Sequence, residues 1–327
     1  MNLIEKYVFY LRNVRRYSER TVQLYGSALC DYAAKAVGDE VSDSELVSAL
    51  NVSEIRSYEA GMFEKEFSAK TVNLHLSALS GFCRFLIKEG IMASNPVRLV
   101  PKPKAAKTLP VFFRKEAMEK YFERTSWVTD REELGFFLAN HDTVSGKKSY
   151  EDRLARLIIS MLYGLGLRRA ELIGINVGDV DFGRNVVRVH GKGDKMREIP
   201  LIVSLCEEIL LYLEAVETIC GGKRSLKEPL LVTFKGKKLY PVYVDRVVKT
   251  ELGGERNMTG RKSPHVLRHS LATDLLNEGA DVSSIKELLG HSSLAATQIY
   301  THGSIARLKT IYEQAHPRAK NGGKHGD

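Results

Sequence analysis

Asn95-Pro96-Val97-Arg98-Leu99-Val100-Pro101-Lys102-Pro103-Lys104-Ala105-Ala106-Lys107-Thr108-Leu109-Pro110 divides this chain. Its prolines remove backbone donors and forbid a continuous helix, and its interspersed cations suit a polyanionic partner. It is therefore read as a basic, proline-rich linker over 95–110, separating a helical domain at 1–94 from a larger domain at 111–327. Before it, apolar residues recur at helical spacing, as in Val22, Tyr25, Leu29 and Tyr32, or Leu76, Leu79, Phe82, Phe85 and Leu86. Ser18 and Ser68 stand as N-caps, and Gly90 as a helix stop.

Beyond the linker, helical patterns at Glu116–Tyr121 and Asp152–Tyr163 lead to the turn Gly164-Leu165-Gly166, with another helix starting near Arg168 or Arg169. The period then changes. Asn185–His190 and Arg197–Leu201 are short β-like runs around Gly191-Lys192-Gly193-Asp194-Lys195, which predicts a hairpin with Lys192 at its tip. An amphipathic helix near Ser204–Val216 follows, then helices at Pro241–Leu252, Pro264–Asn277, Ser283–Leu289, Ser293–Thr301 and Ser304–Ala315. The fold expected is mainly α with one small β-sheet or hairpin.

At 327 residues the chain exceeds the usual size of one core, and 43% hydrophobic with 27% charged residues marks it as globular rather than disordered. The net charge of +9 favours nucleic acid or an anionic surface as partner. Cys30, Cys83, Cys206 and Cys220 form no CxxC pair and no zinc spacing, so reduced thiols and no metal are expected. Without a secretory leader or a run of roughly 20 apolar residues, no membrane association and a cytoplasmic location are expected.

Taken singly, Arg168 would be a surface ion-pair partner, Lys192 a solvated hairpin cation, His265 a structural histidine and Tyr300 a core tyrosine. Their order and spacing change that reading. Gly166-Leu167-Arg168-Arg169-Ala170-Glu171-Leu172, Gly191-Lys192-Gly193, His265-Val266-Leu267-Arg268-His269, Leu288-Leu289-Gly290-His291 and Tyr300-Thr301-His302 follow one another. The spacings are 24 residues from Arg168 to Lys192, 23 from Arg268 to His291 and nine from His291 to Tyr300. Together these segments resemble the Arg, Lys, His-x-x-Arg, His and Tyr motifs of the tyrosine recombinase (phage integrase) family, with Xer-type spacing. Ser18-Glu19-Arg20-Thr21, Leu76–Leu86, Asn95-Pro96, Leu109-Pro110 and the tail His316-Pro317-Arg318-Ala319 are similar to Xer-type proteins too. The stretch Trp127–Tyr150 matches no family motif.

The resemblance implies a SAM-like helical core-binding domain and a mainly α catalytic domain, clamped around duplex DNA, with a tail beyond Tyr300 exchanged between protomers. It implies a homo- or hetero-tetramer on two synapsed sites, a Holliday-junction intermediate and Xer-like resolution of chromosome dimers. A DNA translocase is admitted as activator. The rivals are an integrase of a phage or conjugative transposon and, on similar chemistry, a type IB topoisomerase. From a different class comes a non-catalytic DNA-binding or architectural protein. Element integrases often carry an arm-binding domain before the core-binding one, and none is expected here, which favours the resolvase.

The chemistry fits these residue types. A phosphodiester gains negative charge on its oxygens as a nucleophile adds, and the guanidinium forks of Arg168 and Arg268 suit that charge. A phenol titrates near ~10, so Tyr300 needs a proton acceptor and a positive field to act as nucleophile. His265, three residues before Arg268 on a helix, is the candidate base. Lys192 is the candidate acid for the departing 5′ oxygen, with Lys195 its weaker rival, and His291 a candidate donor to the phosphate. Glu171 is expected to orient a cation. The phosphotyrosine keeps the energy of the broken bond, so no cofactor is expected. Arg12, Arg15, Arg16 and Arg20 are candidate phosphate contacts.

Overall fold

The computed structural model describes residues 1–38, 42–104, 112–191, 196–253 and 262–290. The chain divides into two compact units, Met1–Thr108 and Leu109–Asp327.

The first unit is helical: α1 (Leu3–Asn13), α2 (Glu19–Ala36), α3 (Asp43–Ala49), α4 (Val52–Glu64) and α5 (Ala69–Lys88). The starts follow from short polar caps. Ser18 Oγ accepts from Thr21 N at 3.3 Å and Ser68 Oγ from Thr71 N at 3.2 Å, each satisfying a backbone donor that the helix itself cannot. Tyr7, Leu29, Tyr32, Ile55, Leu79 and Phe82 lie in one apolar core, with Tyr7 tilted against Phe82 and Phe85 at 5.4 Å between ring centroids. On the surface, Arg12 donates to Glu19 at 2.7 Å in an exposed pair.

The first part of the stretch expected as linker is packed into the first unit, while residues 105–110 lie outside the described residues. Val97 and Val100 are buried in the first unit's core, Asn95 Nδ2 donates to Ser80 O at 3.2 Å, and Asn73 Nδ2 donates to Pro103 O at 2.9 Å. Pro96 does not forbid a turn either; it opens the 3₁₀ helix Pro96–Leu99, where its missing N–H would have no intrahelical partner anyway. Residues 95–103 therefore belong to the first unit.

The second unit comprises α6 (Lys115–Arg124), α7 (Arg131–Asn140), α8 (Val144–Gly164), α9 (Arg169–Gly174), β1 (Val180–Asp181), β2 (Val186–His190), β3 (Met196–Pro200), α10 (Val203–Cys220), α11 (Pro241–Glu251), α12 (Pro264–Asn277) and α13 (Val282–Leu289). Every residue of α8 from Arg153 to Gly164 is buried, as expected of a helix surrounded by α7, α10, α11 and α12. Several of its buried polar groups find partners: Ser160 Oγ donates to Glu208 Oε1 at 2.9 Å, Arg156 forms an ion pair with Glu208 at 3.6 Å, and Arg153 donates through Nη1 to Val128 O. The motif-free stretch is part of this core. It supplies α7, capped by Asp130 and burying Leu134 and Phe137, and the start of α8, capped by Thr143.

The sheet is antiparallel in the order β1-β2-β3, with Val187 opposite Ile199 and Val189 opposite Arg197. The hairpin is thus present, while Lys192 and Lys195 at its tip lie outside the described residues, as do the helices expected at Ser293–Thr301 and Ser304–Ala315 and the whole stretch from His291 to the C-terminus. Among the described residues no helix is long and apolar enough to cross a membrane.

Candidate active site

Two turns and a helix bring the arginines together. The first turn ends α8 at Gly166, whose φ of +59° is left-handed backbone; a Cβ there would also stand 2.5 Å from Leu289 Cδ2, so glycine suits both the conformation and the space. Arg168 follows as the N-cap position of α9. The second turn ends α13 at Gly290, with φ +64°. Helix α12, opened by Pro264 at its first position, carries His265, Arg268 and His269.

Arg268 is 3% exposed and donates to the carbonyls of Gly166 and Leu289. Arg168 is 38% exposed at its side chain; it donates to Gly290 O at 3.0 Å and to Glu171 Oε1 at 2.6 Å. Glu171 also accepts from the backbone N–H of Arg168 at 2.9 Å, closing the first turn of α9 with its own carboxylate. Arg197, from β3, completes the cluster: its Nη1 and Nη2 donate to the two Glu171 oxygens at 3.0 and 2.8 Å, and its Nε donates to Leu288 O at 3.1 Å. The three consecutive carbonyls of Leu288, Leu289 and Gly290 therefore each accept from a different arginine.

The electrostatics follow from three cations sharing one carboxylate. Burial tends to raise the Glu171 pKa, but the hydrogen bonds and charge of Arg197, then the bonds from Arg168, outweigh it and hold the group at about 2. Burial first, and then the like charge of Arg168, push Arg268 down to about 10, with Glu171 opposing and Arg197 adding to the depression. Arg268 still carries its proton at neutral pH. Two positive charges in excess, fixed by main-chain carbonyls in a partly enclosed place, make a preformed seat for an anion of two negative charges or fewer.

Of the residues singled out in the sequence, the structure brings Arg168, Glu171 and Arg268 together. His265 stands one helical turn before Arg268, with its Nε2 3.1 Å from Nε2 of His269 and the rings edge to face at 4.5 Å. His269 is thus a direct neighbour of the candidate base. Lys192, His291 and Tyr300 lie outside the described residues. Arg197 was missed. Its signal appears once the register is known: in a strand of period two it shares a face with the buried Ile199 and stands opposite the buried Val189, and a cation on an inward face requires a partner.

A two-unit chain with a helical first half and an arginine cluster gathered at helix ends in the second is the arrangement expected of an enzyme working on phosphodiesters. Residues 128–307 match the phage integrase family and residues 4–90 match the SAM-like N-terminal domain of phage integrases, so the chain belongs to the phage integrase family of tyrosine recombinases, on its Xer-type branch. It is 32% identical to the tyrosine recombinase XerC of Chlorobaculum parvum, over 97% of this chain and 94% of that protein. To XerC of Listeria monocytogenes it is 34% identical, over 97% of this chain and 98% of that protein. Among solved structures, the Tn1549 transposon integrase in complex with transposon right end DNA superposes with a TM-score of 0.62 at 19% identity, over 95% of this chain and 98% of that one. A lambda integrase tetramer bound to a Holliday junction gives 0.61 at 18% identity, over 90% of this chain and 74% of that one. At these identities the structural likeness speaks for the fold.

Proposed function

We propose that this protein cuts and rejoins duplex DNA at a specific site through a covalent tyrosine intermediate, and that its biological task is Xer-like resolution of chromosome dimers. The observation that carries the reading is the arginine cluster, in which Arg168 and Arg268 are seated on neighbouring carbonyls with Glu171 holding one of them. The phenolic oxygen of Tyr300 attacks the scissile phosphorus while His265 accepts its proton. The bond from phosphorus to the 5′ oxygen breaks, and that oxygen leaves with a proton from Lys192. The product is a 3′-phosphotyrosyl strand and a free 5′ hydroxyl. As the pentacoordinate phosphorus forms, its non-bridging oxygens gain charge, which Arg168 and Arg268 stabilise and His291 supports by a hydrogen bond. Attack by a 5′ hydroxyl from the partner duplex reverses the same steps, so the bond energy is conserved and no nucleotide is consumed.

Strand exchange on two sites calls for four protomers and passes through a Holliday junction, an assembly of the kind named for the lambda integrase relative. The relatives named XerC support the chromosomal task over the integration of a mobile element. A DNA translocase would serve as activator.

The test is to incubate the full chain with fragmented genomic DNA, denature in detergent, and sequence fragments that stay bound to protein, beside a Tyr300→Phe control. Adducts lost in the control, concentrated at one near-palindromic chromosomal locus, support dimer resolution. Adducts at scattered element ends would transfer the reading to an integrase. Equal, negligible adducts in both samples with DNA binding intact would favour a non-catalytic DNA-binding protein.

A further inference from the structure

Arg197 is the least expected member of the cluster and the one with most of its donors committed. Its side chain is 9% exposed, and it spends three nitrogens on Glu171 and Leu288. A lysine has one nitrogen and no planar fork, so it cannot span both oxygens of a carboxylate while also reaching a carbonyl. The geometry is specific to arginine.

Glu171 is where its effect on the neighbours is felt. That carboxylate lies between Arg168 and Arg197, and both of its oxygens accept from Arg197. With Arg197 removed, the whole negative charge would fall to Arg168, drawing its guanidinium toward Glu171 and neutralising part of the field it offers to an anion. The Leu288 contact adds a second effect, because the next two carbonyls of that turn seat Arg268 and Arg168. Loosening Leu288 would unsettle both seats.

We propose that Arg197 is a positioning residue for DNA strand cleavage: by taking both oxygens of Glu171 it leaves Arg168 its charge for the scissile phosphate, and by holding Leu288 it fixes the turn on which Arg168 and Arg268 are seated. The proposal rests on the reading of Arg168 as a phosphate ligand. A purely structural staple is the alternative, and the two differ in what repairs them. A methylphosphonate at the scissile position removes the charge from one non-bridging oxygen, so cleavage there asks less of Arg168, whereas a weakened fold gains nothing from the change.

The experiment uses the full-length protein as wild type, Arg197→Met and Arg197→Lys. The probe is a duplex bearing the cleavage sequence recovered with the wild type, nicked beside the scissile phosphate so that the severed piece escapes. Single-turnover adduct formation is measured on the phosphate and on the methylphosphonate duplex, with affinity measured in parallel. Arg197→Met is expected to bind within ~3-fold of wild type and to cleave the phosphate on the order of 10–100-fold more slowly, by analogy with the loss of a partner that orients a metal-binding side chain. On the methylphosphonate its gap to wild type should shrink by roughly tenfold, as charge stabilisation on that oxygen is no longer needed. Arg197→Lys keeps the charge and loses the fork, and carries the test if the methionine variant fails to fold; it should be slowed and repaired in the same sense. A gap of equal size on both duplexes would assign Arg197 a structural role and overturn the proposal. Wild-type rates in both variants would overturn it as well, leaving the recombinase reading intact, whereas absence of any adduct from the wild type would remove both.

Discussion

The two units treat their cations in opposite ways. In the first, Arg12 and Glu19 pair in solvent around a core built of tyrosine, leucine and phenylalanine, and nothing about the fold depends on that pair. In the second, Arg268 is buried and the Arg197 side chain is only 9% exposed, where a leucine would pack with less cost, and Glu171 and main-chain carbonyls are arranged to receive them. Burying a charge costs several kcal/mol unless it is fully partnered, roughly. Three arginines meeting at one helix end are thus poor economy for stability alone and make sense as a seat for an anion. The surface cations of the first unit are cheap to keep and cheap to lose.

That contrast can be broken at its strongest point. Arg268→Ala leaves the carbonyls of Gly166 and Leu289 without their donor. Adduct formation should fall by about 10³-fold, the upper range for losing one charge-stabilising donor, in a single-turnover assay. The same variant should lose about 3 kcal/mol in urea unfolding, from buried acceptors left unpaired. If Arg268→Ala kept both its stability and its rate, the two units would not differ as argued.

A smaller effect is expected with pH. Glu171 is held at about 2 in the folded protein against an ordinary 4.5. Its depressed value contributes stability that is fully present above the unfolded pKa and is lost as pH falls through about 4.5 toward 2. The contribution amounts to about 3 kcal/mol at neutral pH by linkage. Urea midpoints at pH 6 and pH 3 should therefore differ more in the wild type than in Glu171→Gln, where the depressed carboxylates of Glu19, Glu45 and Glu228 still remain. Gly166→Ala comes next. Left-handed backbone and the contact with Leu289 together should cost about 2 kcal/mol, read from the same midpoints. Smallest of all, Arg12→Ala should leave the midpoint unchanged. If Arg12 also meets DNA phosphate, that variant lowers the salt slope of binding by about one.

Much of the fold was legible because helical period, cap residues and glycine stops are local. Pro264–Asn277 came out at its observed bounds, and Ser18 and Ser68 cap as expected. The packing of residues 95–103 was hidden because prolines and cations dominated the composition while Val97 and Val100, three apart, held the packing signal. The stretch Trp127–Tyr150 was opaque because its helices pack without carrying a motif. At the site, Glu171 as the holder of a cation was readable from its place three residues after Arg168. Arg197 was not, since the pairing crosses from a strand to a helix 26 residues away and stands out among 49 Lys and Arg only once the hairpin register is known.

The central claim is that this cluster serves attack by one tyrosine on a DNA phosphate. Its most direct test is to digest the detergent-resistant adduct with protease and nuclease and locate the residue that retains a nucleotide by mass spectrometry. The account predicts a 3′-nucleotide on the peptide containing Tyr300. A nucleotide on any other residue, or a protein-bound DNA fraction carrying no covalent link, would contradict it.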